Sequence, residues 1–501
     1  MIVPIDQILS QTEGKTLEFK RDLSSPKPIL KTLVAFANTA GGLLIVGLED
    51  DRKVTGIEDP LAEEERICNL IADSIAPRLV PNVEITTVHG KTLLLVQVFL
   101  SGTRPHFLRA EGPETGVYVR LGSSNRQADR ELIAELRRTV EGIGFDEMPM
   151  PELSVKDLDM DAAQHLFGES RKLDEKALIT LKLLCRYQDR LVPTKGAVLL
   201  FGKERLHLFP DAWIQCGRFL GTEKVDIFDH IEINRHLPEA VDEVMLFLKK
   251  HAFRGADLSG IRRRDVWNIP LGILREVVIN ALVHADYSQR GAPVRVVFLD
   301  DRIEIENPGL LLPGLTIEDI KQGTSKIRNT VIARVFRELN LIEQWGTGVR
   351  RIFTEAQNIG LREPQLMEIG MRVRFIIPLM ESIDVKTVLK KNSEQVGEQV
   401  SEQVSEQVGE QVGEQVSEQV GGQVSEQVRA ILMACRMEEK NKQELLEAAG
   451  LANVYLNYKR HIVPLMEKNL LEMTIPHKPK SRLQKYRLTT KGHHVLKGMK
   501  D

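Results

Sequence analysis

Four cysteines in 501 residues (Cys68, Cys185, Cys216 and Cys435) are too few and too scattered for a disulfide framework, and no CxxC pair offers a zinc ribbon. No apolar run reaches the roughly 18 residues a bilayer span needs. The opening Met1-Ile2-Val3-Pro4-Ile5-Asp6 lacks the basic and apolar regions of a secretion signal. A reduced, cytoplasmic setting without membrane contact is therefore expected. GxxxxGK[ST] is also missing, so there is no phosphate cradle for a P-loop motor, the engine of an ordinary helicase. What is present, 42% hydrophobic and 28% charged residues, is the ordinary balance of soluble globular chains. The length predicts about three to four domains.

The net charge of −3 conceals an uneven distribution. Residues 393–428 are nine tetrads of the type Ser/Gly-Glu-Gln-Val, with eight glutamates and no base. Residues 429–501 carry 15 Lys+Arg against 7 Asp+Glu. A basic module behind an acidic spacer has the electrostatic footprint of a nucleic-acid binder, and a merely solvated surface is the alternative. Valine every fourth residue drifts about 40° per tetrad around an α-helix, leaving no fixed face to bury. With repeated Gly and Ser, the run reads as a polar linker, 386–428 in all, the alternative being an element in which several chains wrap together as a homo-oligomer.

Along the chain, residues 1–142 alternate strand and helix signals: a strand at 16–20, a helix at 29–39 ended by Gly41-Gly42, and the apolar run Leu43–Gly47. A helix at 61–76, strands at 83–88, 93–99 and 116–120, and a helix at 130–140 follow. Residues 152–255 form an intermediate α/β segment, with helices at 174–186 and 237–251 around a strand at 197–202. Residues 256–385 begin with a helix bearing Glu276, Asn280 and His284 and continue into strands at 294–299 and 302–306. Residues 429–501 give helices at 428–435, 442–449 and 453–468, then strands at 470–475 and 485–488. That order predicts a winged helix-turn-helix whose basic wing (Lys478, Lys480, Arg482, Lys485, Arg487) contacts phosphates, of DNA more readily than RNA; such modules also bind proteins. The fold class is thus α/β (α+β) and multidomain.

Two constellations carry chemistry. Glu13, Glu18 and Asp50 lie near strand ends, where converging carboxylates can hold Mg²⁺ or Mn²⁺ and activate water. The surrounding Leu17-Glu18-Phe19-Lys20, Ala35-Phe36-Ala37-Asn38-Thr39-Ala40-Gly41-Gly42-Leu43-Leu44-Ile45-Val46-Gly47 and Gly56-Ile57 resemble the AlbA_2 domain of Schlafen-type proteins over about 130 residues. The resemblance implies RNA or DNA binding. Because some Schlafen relatives are metal-dependent endoribonucleases, it also implies a nuclease alternative in which Glu13, Glu18 and Asp50 are the three acids.

In the second constellation Glu276, Asn280 and His284 stand at i, i+4 and i+8, neighbours along one helix face. A carboxylate there can orient water, and an amide oxygen one turn later can coordinate Mg²⁺. Glu306-Asn307-Pro308-Gly309 and Gly346-Thr347-Gly348 follow in order. The set resembles the GHKL-type α/β sandwich shared by gyrase, histidine kinases and mismatch-repair proteins. More closely, it resembles the variant behind Schlafen AlbA domains that is labelled a RecG-like helicase or transcriptional regulator. It implies ATP and Mg²⁺, with Glu276 as the water-activating base, Asn280 as the metal ligand, and Gly309, Gly346 and Gly348 lining the nucleotide. Relatives usually place an Asp where Asn307 stands, as acceptor for the adenine amino group; an amide oxygen still accepts. Arg328-Asn329 match the subfamily without an assigned physical role. An ATP-responsive nucleic-acid-binding regulator is the function expected; a metal-dependent nuclease and a protein-interaction scaffold are the alternatives.

Overall fold

The computed structural model describes residues 5–49, 51–168, 171–252, 254–257, 264–342, 348–380, 426–436, 438–450, 461–475 and 484–498. The chain divides into two compact units, Met1–Thr387 and Val388–Asp501. Asp50, Gly346, Lys478, Lys480, Arg482 and the tetrads up to residue 425 lie outside the described residues.

The first unit opens with β1 (Leu17–Lys20), α1 (Pro26–Asn38), β2 (Gly42–Val46), α2 (Pro60–Ser74), β3 (Asn82–Val88) and β4 (Lys91–Val98). These give a sheet of order β1-β2-β4-β3, parallel between β1 and β2 and antiparallel elsewhere. Prolines near its start set the entry to α1, and Gly41, at φ +75, turns the chain straight from α1 into β2. The buried face of α1 (Ile29, Leu33, Val34, Phe36) packs with Leu44, Val46, Leu94 and Val96. After β5 (Tyr118–Leu121), Asp129 caps α3 (Arg130–Glu141) by accepting from Leu132 N–H at 2.8 Å, and Gly142, at φ +73, ends the helix.

A second, six-stranded sheet follows. Its elements are α4 (Lys195–Phe201), β6 (Ile214–Leu220), β7 (Asp226–Ile233), α5 (Leu237–His251), α6 (Leu271–His284), β8 (Val294–Phe298) and β9 (Arg302–Pro308). Then come α7 (Thr330–Glu338), α8 (Gly348–Asn358), β10 (Gln365–Ile369) and β11 (Arg372–Pro378). The strand order is β7-β6-β8-β9-β11-β10.

Three expectations are corrected here. The intermediate segment 152–255 is not separate from 256–385: β6 pairs in parallel with β8, and one hydrophobic core runs from Met150 to Leu379. Residues 197–202, read as a strand, belong mostly to helix α4. A short apolar run buried on every side carries no period to distinguish the two, and the Thr194 hydroxyl decides by capping the Ala197 N–H at 3.2 Å. The helix expected over 174–186 stops at Thr180. Lys182 takes φ +57, and Leu184–Tyr187 forms a strand.

The second unit has helices Glu426–Ala434, Lys442–Ala448 and Val463–Glu467, and a sheet in which Lys485–Leu488 pairs with both Leu471–Met473 and Lys440–Asn441. The expected hairpin strands therefore do pair. The first ten residues of the stretch read as one helix at 453–468 fall partly outside the described residues.

Candidate functional site

Helix α6 is apolar over most of its surface and packs against α5, α8 and β9, which fixes its few polar side chains. Asn280 and Asn307 line a cleft that opens to solvent. The Asn280 amide nitrogen donates to the Glu276 backbone carbonyl at 2.8 Å and to Glu276 Oε1 at 2.9 Å, turning the amide oxygen away from the acid. Asn307, buried on β9, donates to the carbonyls of His284 at 3.3 Å and Pro308 at 3.2 Å. Its oxygen is thereby left as the acceptor. Burial pushes His284, on the same cleft, down to about 4, so its ring is neutral at pH 7.

The two glycines behave differently. Gly348 opens α8 so close to Glu276 that a Cβ there would stand 1.8 Å from Oε1. Glu276 thus sits beneath the start of α8 rather than on the cleft wall. Gly309, at φ +98, packs against Asp286 and Arg328, where a Cβ would meet Asp286 Cβ at 2.9 Å. It shapes the wall without lining it.

Two amide acceptors, the cations Lys326 and Arg328, and the apolar sheet residues Val373 and Phe375 share this cleft. That donor set fits a nucleoside triphosphate with its metal: an apolar slot for a base, an acceptor for its amino group, an oxygen ligand and positive charge for phosphates.

The structure gives Arg328 and Asn329 the roles that the sequence withheld. Asn329 donates to the carbonyls of Val283 at 2.8 Å and Ala285 at 2.7 Å, satisfying the end of α6. Arg328 is 7% exposed, donates to the Leu310 carbonyl and lies against the Glu135 carboxylate of α3. Burial lowers its guanidinium to about 10, which leaves it charged at pH 7.

The cleft wall is also tied to the first sheet's domain. Leu310 joins Val117, Val119, Leu132 and Leu136 in one cluster. The Gly314 N–H donates to the Thr39 carbonyl at 2.7 Å, and Glu368 accepts from the Leu311 N–H at 2.8 Å while pairing with Lys15 at 2.7 Å. Nothing in the local sequence announces these contacts, whose partners lie 57 to 353 residues apart.

Of the N-terminal acids, Glu13 accepts from the Phe19 N–H at 2.8 Å. Glu18, 7% exposed, gives one oxygen to Lys20 at 2.6 Å and the other to Arg120. Arg120, 1% exposed, also donates to Gly14 O at 3.1 Å and Asn125 Oδ1 at 2.9 Å. Among the described residues no group of three or more His, Cys, Asp or Glu is placed to hold a metal ion. In the second unit Lys485 is exposed, whereas Arg487 is bound to Glu472 at 2.6 Å. No helix among the described residues is long and apolar enough to cross a membrane.

Family models match three stretches of the chain. Residues 13–129 match "Schlafen, AlbA_2", residues 291–377 match "Putative ATP-dependent DNA helicase recG C-terminal", and residues 426–489 match "Filamentation induced by cAMP protein Fic-like, C-terminal domain". The second span contains Asn307, Gly309 and Gly348 and begins after α6. No curated protein matches. Among solved structures, the DIP2311 protein from Corynebacterium diphtheriae is 18% identical at a TM-score of 0.42, covering 99% of this chain and 98% of its own. The N-terminal domain of a "Putative ATP-dependent DNA Helicase RecG-related Protein" from Nitrosomonas europaea is 28% identical at a TM-score of 0.20, covering 25% of this chain and 90% of its own. A Fic family protein from Desulfovibrio desulfuricans is 15% identical at a TM-score of 0.13, covering 55% and 61%.

Proposed function

We propose that this chain, which joins a Schlafen AlbA_2 domain to a RecG-like C-terminal HATPase domain, is an ATP-binding, nucleic-acid-binding transcriptional regulator whose nucleotide alters its grip on DNA or RNA. The observation that carries the reading is the shared wall: the Leu310–Leu315 segment faces the nucleotide cleft on one side and is fastened to the AlbA_2 domain on the other.

In this reading Asn280 holds Mg²⁺ through its amide oxygen, Asn307 accepts from the adenine amino group, and Lys326 and Arg328 face the phosphates. The bound metal neutralises phosphate charge. Glu276, hydrogen-bonded to Asn280, fixes the amide's orientation, and the tight fit of Gly348 over it seats the start of α8. Arg328 has one guanidinium to divide between Glu135 and an anion in the cleft. A share given to the anion weakens the hold on α3, and with it the AlbA_2 domain's arrangement. The nucleotide shifts the equilibrium only as far as it prefers one arrangement, so a tenfold effect on nucleic-acid affinity requires about 1.4 kcal/mol of preference.

The C-terminal module follows the element order of a winged helix, and its proposed role is DNA contact through Lys485 together with Lys478, Lys480 and Arg482. Arg487, engaged by Glu472, contributes less. Nuclease chemistry at Glu13, Glu18 and Asp50 is the weaker reading, because Lys20 and Arg120 already engage both Glu18 oxygens.

The test is fluorescence anisotropy of labelled DNA and RNA with full-length protein, with and without ATP and Mg²⁺, for wild type and Asn280→Ala. ATP should shift wild-type affinity and leave the variant unmoved. Wild-type protein that fails to bind ATP in direct titration refutes the site; ATP binding without any shift refutes the switch. In a parallel assay with Mn²⁺, cleavage of either substrate that disappears in Glu18→Ala would put the nuclease reading first.

A further inference from the structure

We infer that a second ligand site, for a small phosphate ester that also carries a hydroxyl, lies in the cleft between α3 and the 285–294 loop. This cleft opens to solvent and shares no wall residue with the nucleotide cleft. Separate stretches of the first unit meet there: α3, the chain around Phe145, the start of α4 at Lys195, the chain from Leu208 to Ala212 and the loop after α6.

At its centre two cations share one aromatic ring. Lys195 Nζ lies 4.2 Å and Arg138 Cζ 5.4 Å from the Phe145 centroid. Both side chains are half-buried, and among the described residues neither forms an ion pair; the polar contact of Lys195 is Met148 Sδ at 3.7 Å. Burial holds both groups below their ordinary basicity, and the charge of Arg138 lowers Lys195 further. The ring face offsets part of this cost, but two like charges brought together out of water still lack an anion. Arg130 and Arg290 add exposed positive charge among the lining residues.

The acids around the cleft compensate these charges only in part: Asp286 acts on Arg138 and Glu152 on Lys195 through space, and neither forms a direct ion pair with them. Asp211 accepts from the Gly291 N–H at 2.8 Å, and Glu131 is exposed. Asp286 is 2% exposed; its Oδ1 accepts from the Ser288 N–H at 3.1 Å and from the Ser288 hydroxyl at 2.5 Å, the Gln289 side chain and the charge of Arg138 also favour its carboxylate form, and its Oδ2 makes no direct hydrogen bond. A buried carboxylate oxygen without a donor calls for an O–H or N–H group.

Together these groups describe the ligand. Phosphate matches an Arg fork and a Lys point charge held on two fixed helices, α3 and α4. A neighbouring hydroxyl answers Asp286, which a bare carboxylate or sulfate does not. The phosphates of a nucleic-acid strand offer the same anionic chemistry, but half-buried cations inside a cleft favour the small molecule.

The test is calorimetric titration of full-length protein with ribose 5-phosphate, inorganic phosphate, ribose and a single-stranded oligothymidine. Ribose 5-phosphate should bind more tightly than inorganic phosphate, and ribose should not bind. Lys195→Met and Arg138→Met should each weaken ribose 5-phosphate at least tenfold, and Asn280→Ala should leave it unchanged, separating this site from the nucleotide cleft. Absence of binding at millimolar ribose 5-phosphate, equal binding in both Met variants, or loss in Asn280→Ala overturns the proposal. So does oligothymidine binding that the Met variants abolish while ribose 5-phosphate shows none, since the phosphate then belongs to a strand. Should either variant fail to fold, acetylation of Lys195 in the wild type decides: protection by ribose 5-phosphate supports the site, and unchanged labelling overturns it.

Discussion

Asp146 offers a perturbation whose size follows from geometry. Its carboxylate is fully buried and accepts three successive backbone N–H groups at the start of α7: Thr330 at 3.1 Å, Val331 at 2.7 Å and Ile332 at 3.0 Å. A helix is usually capped by the residue before it, but the Asn329 side chain makes no cap bond because its amide serves the end of α6. The cap instead comes from 185 residues away. Asp146→Ala strands three donors in a dry site and should cost roughly 3–5 kcal/mol. Asp146→Asn keeps one amide oxygen for two of them and should cost roughly 1–2 kcal/mol at neutral pH.

The charge adds a pH signature. Burial, outweighing the three N–H bonds, pushes the Asp146 carboxyl up to about 7 from an ordinary 3.8. The native state therefore binds this proton more tightly than the unfolded chain. The stabilisation is complete below about pH 4, is lost as pH rises through 7, and is then level, with a span of roughly 4 kcal/mol. The stability gap between wild type and Asp146→Asn, from urea unfolding followed by circular dichroism, should narrow between pH 5 and pH 8. A cost below about 1 kcal/mol for Asp146→Ala would refute the cap. A gap that widens with pH would show that the N–H bonds, not burial, govern the carboxyl.

Three further substitutions test the tie of α3 to the cleft, the cleft itself and the inside of the AlbA_2 domain. Glu135→Ala leaves Arg328 buried without its counter-charge and should cost roughly 3–5 kcal/mol in chemical unfolding; an unchanged midpoint would mean that the pair is idle. Gly348→Ala puts a methyl 1.8 Å from Glu276 Oε1, so the Glu276 carboxylate must swing aside and release the Asn280 amide, and ATP affinity should fall at least about tenfold by calorimetry. Equal affinity would remove the Asn280 amide from the site. Glu18→Gln strips Arg120 of one of its anchors and should lower the melting temperature by several degrees; an unmoved melt would refute a structural role for that pair.

What the sequence made legible was local. Helix α5 stands where apolar periodicity placed it, because it buries one face and exposes the other, whereas β1 and β2 are buried on both faces and β2 shows only as an apolar run. Asn280 stands out as the amide one helical turn after Glu276 and Asn307 as the amide two residues before Gly309, and they do line one cleft. Glu276 was legible as a neighbour of Asn280 but not as a residue covered by α8, since only the fold brings Gly348 over it. The parallel pairing of β6 with β8 was equally hidden: β6 lies in the segment read as a unit of its own, and a strand does not state its partner.

The buried polar contacts made at long range share a physical reason for being unreadable. Glu18 with Arg120, Glu135 with Arg328, and Asp146 with the start of α7 are charged groups buried at long sequence separation. In one dimension each looks like a solvated surface charge, because Asp, Glu and Arg are rarely buried unless paired, and the pairing is invisible until the chain has folded. Burial also gives these groups leverage. A solvated Arg328 would exchange partners with water at little cost, whereas one held between Leu310, Glu135 and the cleft responds to any anion that competes for its guanidinium. If nucleotide and nucleic acid are coupled in this protein, the coupling has to pass through such partner-dependent charges or through the Leu310–Leu315 wall beside them. Reversing the pair as Glu135→Arg with Arg328→Glu is then a severe test: it restores opposite charges across α3 but presents a carboxylate to the cleft, so the fold should survive while ATP binding does not. Retained ATP affinity in the folded double variant would exclude Arg328 from phosphate contact.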